Sequence, residues 1–170
     1  MNDSHVQINC TAEDCELRYI DGTLASSLSV DCAGSGCVAS HIICPVGNGS
    51  YCTVDCSNSS ADCSYLKIEN AAGGEISSLN VHCQSCLYIT ISLDPDSISD
   101  INILCDGEDS CYGLSVDVSS KIENRFSLDC DGSTSCGWGS IYVFGDNEES
   151  AVVAVDCKYN GGTVLYHGES

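Results

Sequence analysis

The chain has 170 residues and a formal charge of −20, from 25 Asp and Glu against 5 Lys and Arg. That excess argues against nucleic acid or an anionic membrane surface as partner, because phosphate contacts need clustered cations. No apolar run approaches the roughly 18 residues of a membrane span, which excludes helical insertion, and a hydrophobic fraction of 43% argues against disorder.

The chain opens directly on a pattern. Val6-Gln7-Ile8-Asn9-Cys10 alternates apolar and polar residues and ends on cysteine. The same pattern ends at Cys32, Cys56, Cys83, Cys105, Cys130 and Cys157, at intervals of 22 to 27 residues. Two positions before these cysteines stand Ile8, Val30, Val54, Val81, Ile103, Leu128 and Val155. Four before stand Val6, Leu28, Cys52, Leu79, Ile101, Phe126 and Val153. Between them fall Gln7, Ser29, Thr53, Asn80, Asn102, Ser127 and, as the one apolar member, Ala154. Period-two alternation of this kind predicts a half-buried strand whose last inward residue is cysteine.

After each of the first six strands comes a short turn-rich gap and a second cysteine: Cys15, Cys37, Cys63, Cys86, Cys111 and Cys136. The gaps hold turn formers, as in Asp106-Gly107-Glu108-Asp109-Ser110. A second alternating strand then begins, clearest as Ile89, Ile91, Leu93, then Leu114, Val116, Val118, then Ile141 and Val143. A Gly/Asp/Asn/Ser-rich stretch leads into the next copy, and helical periodicity is absent.

A strand, corner, strand and loop repeated about every 25 residues is one coil of a solenoid. A single coil cannot bury its own apolar face, whereas stacked coils share one continuous core. The fold expected is therefore all-β: a parallel β-helix of about seven coils, starting near 6, 28, 52, 79, 101, 126 and 153, in one domain over 1–170. Strand crossovers favour a right-handed coil. An antiparallel sandwich also suits such strand spacing, but it gives no reason for cysteine at the same position of every copy.

Cysteines at this density are a disulfide framework or zinc ligands. Only Cys83-Gln84-Ser85-Cys86 has CxxC spacing, with no second such pair nearby to complete four ligands, so cystines are expected. Stacked cysteines of successive coils could also pair. The variable gap favours pairing within a coil, since two fixed cysteines then bracket an excursion of free length. The expected pairs are Cys10–Cys15, Cys32–Cys37, Cys56–Cys63, Cys83–Cys86, Cys105–Cys111 and Cys130–Cys136, with Cys44–Cys52 across the loop between them and Cys157 left over.

Cys105-Asp-Gly-Glu-Asp-Ser-Cys111 and Cys130-Asp-Gly-Ser-Thr-Ser-Cys136, each followed by an alternating Ile/Val strand, resemble the C-x-G-x-x-S-C repeats of large extracellular proteins of algae and other protists. The resemblance implies a parallel β-helix and carries little by way of assigned activity. Cys83–Cys86 and the last copy depart from the motif. In stapling logic alone, the chain is also similar to the cystine-braced solenoids of insect antifreeze proteins.

Four sequons, at Asn2, Asn9, Asn48 and Asn58, fit a secretory route and glycosylation. Residues 1–5 lack the apolar core of a signal peptide, so the chain reads as a module of a longer extracellular protein. Several functions compete. Polysaccharide-active β-helix enzymes need paired carboxylates, or calcium with a nearby cationic base. Carboxylates abound, but the only arginines, Arg18 and Arg125, sit in no motif. Ice binding needs a regular hydroxyl face, whereas the outward residues Asn9, Asp31, Asp55, His82, Leu104, Asp129 and Asp156 are acidic and irregular. Calcium is a possible ligand rather than a required cofactor: Asp94, Asp96 and Asp100 are the densest acidic group, and Asp31/Asp55 and Asp129/Asp156 should stack. The reading that remains is a non-catalytic extracellular structural or interaction module, a spacer or fibre subunit. Its partners would be neighbouring repeats, end-to-end copies of itself, or glycans.

Overall fold

A computed structural model gives the fold. It describes residues 4–11, 15–34, 36–58, 62–119, 121–132, 135–146, 152–157 and 163–169; the side chains of residue 121 and of residues 144 onward lie outside that description.

Fourteen strands form two parallel sheets of seven. The first sheet stacks β1 (His5–Thr11), β3 (Ser27–Ala33), β5 (Tyr51–Cys56), β7 (Glu75–Cys83), β9 (Ser97–Cys105), β11 (Lys121–Cys130) and β13 (Val152–Cys157) in chain order. The second stacks β2 (Tyr19–Asp21), β4 (His41–Cys44), β6 (Lys67–Asn70), β8 (Thr90–Leu93), β10 (Ser115–Val118), β12 (Ser140–Asp146) and β14 (Thr163–Glu169). Each coil contributes one strand to each sheet, and all pairing is parallel. This is the expected β-solenoid, and no helix occurs among the described residues.

Register follows the cysteine alignment. Val6 pairs with Leu28, Leu28 with Cys52, Cys52 with Leu79, Leu79 with Ile101, Ile101 with Phe126, and Phe126 with Val153. Side-chain alternation then sends each ladder inward or outward as a unit, so one strand's inward residue rests on its counterpart in the next coil. From Leu28 to Phe126 that ladder is wholly buried, and Ile68, Ile91 and Val116 form its counterpart in the second sheet.

Seven strands stand in each sheet, and the solenoid makes about five turns, slightly fewer than the seven coils expected. On β1, at one end of the stack, Val6 is 38% exposed while Leu28 beside it is fully covered.

Candidate functional site: the cysteine corner and its outer ridge

The corner between the two sheets holds the chemistry of the repeat. In Cys105-Asp-Gly-Glu-Asp-Ser-Cys111, the Gly107 amide donates to Ser110 Oγ at 3.1 Å, and that hydroxyl donates to the Gly107 carbonyl at 2.7 Å. The next coil repeats this with Gly132 and Ser135, at 3.0 and 2.9 Å. Both serines are buried, so the turn supplies the partners that burial demands. The glycine has a separate task. A Cβ on Gly107 would lie 2.0 Å from the Gln84 carbonyl oxygen of the coil below, and one on Gly132 would lie 2.1 Å from the Gly107 carbonyl oxygen. Only glycine lets adjacent corners stack this closely.

Six of the seven expected disulfides are present: Cys10–Cys15, Cys32–Cys37, Cys44–Cys52, Cys56–Cys63, Cys105–Cys111 and Cys130–Cys136, with Cα separations of 5.4 to 6.4 Å. The seventh expectation needs correction: Cys83 and Cys86 are buried free thiols. Complete burial raises the Cys83 thiol well above its ordinary value, and its contact with Cys86 raises it further. Oxidation proceeds through the thiolate, so the dry site that shelters this pair also suppresses the species that would cross-link it. Gln84, between the two cysteines, carries the one buried side-chain polar atom among the described residues without a hydrogen-bond partner, Oε1. Cys157 ends β13 opposite Cys130, and its side chain lies outside the described residues.

Three sulfur groups fall within 4.8 Å of one another: Cys32/Cys37/Cys63, Cys56/Cys83/Cys86 and Cys105/Cys130/Cys136. All but Cys83 and Cys86 belong to disulfides, which offer a metal no thiolate. Apart from the Cys83 and Cys86 thiols, the sulfur column is a stack of cystines.

Immediately past the second cysteine, the chain turns through a left-handed residue. Leu17, Ala39, Tyr65, Tyr88 and Trp138 have φ of 55°, 52°, 61°, 56° and 58°, and Gly113 stands at the equivalent place with φ 69°. Their amides form a backbone ladder along the rod, from Leu17 to the Val38 carbonyl, Ala39 to Ser64, Tyr65 to Leu87, Tyr88 to Tyr112 and Gly113 to Gly137. Left-handed backbone at a residue with a Cβ costs roughly 1–2 kcal/mol, and it is rarer still for bulky side chains. These side chains project from the corner as a ridge. Tyr65 and Tyr88 stack at 5.4 Å between centroids, and Tyr88 meets Tyr112 edge-on at 5.9 Å. Tyr88 Cδ1 lies 2.5 Å from where a Gly113 Cβ would sit, so glycine there makes room for the ring.

The flanking faces differ. Outside the first sheet, Asn102 donates to Asn80 at 3.1 Å and Asn80 to Ser78 at 2.7 Å. His82 lies between Asp106, at 2.9 Å, and Asp55, at 3.8 Å. Asp55, Asn80, His82 and Asn102 line a shallow trough of about 340 Å³ with Thr53 and Leu104. Outside the second sheet, Glu69 takes contacts from Lys67 at 2.5 Å and His41 at 2.6 Å. The Lys67 hydrogen bond holds the Glu69 carboxyl below its ordinary value against partial burial, and His41 adds to the effect.

The acidic candidates do not converge. Asp94 accepts from Ser119 Oγ at 2.8 Å, Asp96 accepts from the Gly74 amide at 2.8 Å, and Asp100 sits on β9 facing Asn124 at 3.5 Å. Asp31/Asp55 and Asp129/Asp156 stack in register as expected, yet among the described residues no group of three close ligand atoms contains a carboxylate. Of the sequons, Asn9, Asn48 and Asn58 are exposed, and Asn2 lies outside the described residues.

Comparison with family models, curated proteins and solved structures finds no match to this chain. Alternation and cysteine spacing located the corner, but the left-handed ridge left no such mark. Its one sequence signal is an aromatic two residues past the second cysteine, at Tyr65, Tyr88 and Trp138.

Proposed function

We propose that this protein is an extracellular structural and interaction rod, a rigid spacer or fibre subunit, acting through shape and surface and performing no catalysis. The observation that supports it most is the even distribution of unusual residues. Enzymes gather charged and polar groups of both signs into one concave site. Here cysteine, glycine, serine and acid recur coil by coil, and Asp94, Asp96 and Asp100 engage separate partners. Six disulfides fit an oxidising compartment such as the cell exterior. The exposed strand edge at β1 supports stacking on a neighbouring repeat or a second copy.

The test is a panel of acidic and neutral polysaccharides assayed for newly released reducing ends. Neither the wild-type protein nor the triple variant Asp94→Asn, Asp96→Asn, Asp100→Asn should release any, while the triple variant should differ in solubility or response to added cations. Cleavage by the wild type that disappears in the triple variant would show that the rod is an enzyme.

A further inference from the structure

The outer ridge is the least economical part of the fold, and that cost locates a binding surface. The corner needs a residue that accepts positive φ, and at Gly113 it has the one that does so freely. Three other coils place a tyrosine or tryptophan there, with Tyr65, Tyr88 and Trp138 exposed by 62%, 47% and 76%. Strained backbone carrying large exposed rings is a mark of function rather than of packing.

The surroundings narrow the partner. Two residues beyond the ridge runs the outward row His41, Lys67, Thr90, Ser115 and Ser140, held in register by β4, β6, β8, β10 and β12. In a chain of charge −20, this row contains no carboxylate. Thr90, Ser115 and Ser140 instead set one hydroxyl per coil, two or three residues beyond Tyr88, Tyr112 and Trp138, with Ser140 Oγ 3.4 Å from Ser115 Oγ. A strip of exposed aromatic rings edged by hydroxyls suits a partner with apolar C–H faces and many hydroxyls of its own. A basic protein would be drawn to the acidic outer face of the first sheet, and an anionic polymer would be repelled from the ridge. The rungs recur about every 4.8 Å, as parallel strands must. That is close to the advance of one sugar along an extended β-1,4-linked chain.

We propose that the ridge of Tyr65, Tyr88, Tyr112 and Trp138 binds a neutral, extended polysaccharide, with successive sugars resting on successive coils. This rests on reading the protein as an extracellular interaction rod and names the partner of one of its faces.

Trp138 is the only tryptophan, so its fluorescence reports on the ridge directly. The protein is titrated with cellohexaose, chitohexaose and, as the anionic control, oligogalacturonate. One neutral hexasaccharide should shift the emission saturably, and oligogalacturonate should not. The Tyr65→Gly/Tyr88→Gly variant should bind about tenfold more weakly, with a melting temperature no lower than wild type, because glycine accepts the left-handed corner. No saturable shift with either neutral sugar would overturn the proposal. So would equal binding of oligogalacturonate, or a glycine variant that melts earlier and binds as before, since the rings would then serve the fold. None of these failures touches the non-catalytic rod, which stands or falls on the cleavage assay.

Discussion

At Gly107 and Gly132 the repeat depends on a missing side chain. An added methyl would meet a backbone carbonyl of the coil below, which cannot swing aside as a side chain could. Gly107→Ala should therefore force the corners apart and lower stability by about 1–3 kcal/mol, as over-packing does. Ser110→Ala leaves the half-buried Gly107 amide without its side-chain acceptor and should cost about 1 kcal/mol. Chemical denaturation of both variants measures this, and a Gly107→Ala variant as stable as wild type would contradict the close stacking. Both residues are visible as letters of the repeat, but the sequence shows them only as turn formers. That glycine serves the neighbouring coil, while serine serves its own turn, becomes legible only once the coils are stacked.

Among the elements, the strands were the readable part. Period-two alternation follows directly from a sheet with one face buried, so Ile8 to Cys10 and its copies announced themselves. Pairing was legible because a gap of free length between two fixed cysteines is what a stapled corner looks like. Cys83–Cys86 escaped this logic, since spacing says nothing of the environment that keeps a thiol protonated. Alkylation without reductant should leave this pair unmodified in the native protein and label it in denaturant. Cys105 and Cys111 should label only after reduction. A Cys83–Cys86 pair that resists labelling in denaturant would contradict the free thiols. Replacing Cys105 and Cys111 by Ala should cost about 2 kcal/mol, the contribution of closing so short a loop. The left-handed corner was the unreadable element: it demands a backbone conformation rather than a residue type, and here tyrosine and tryptophan occupy it as well as glycine.

Over the whole molecule, the two sheets make every coil a rung of one ladder, and a spacer or fibre subunit needs that ladder to be rigid. The outward column Gln7, Ser29, Thr53, Asn80, Asn102 and Ser127 runs along it in unbroken register. Spin labels attached by a chemistry that spares cysteine, one at Gln7 and the other at Asn80, Asn102 or Ser127, measure that ladder by pulsed dipolar spectroscopy. Three, four and five rungs predict narrow distributions near about 14, 19 and 24 Å, each coil adding the spacing of one parallel strand. Broad distributions, or distances that fail to increase in that order, would contradict the rigid stack of coils.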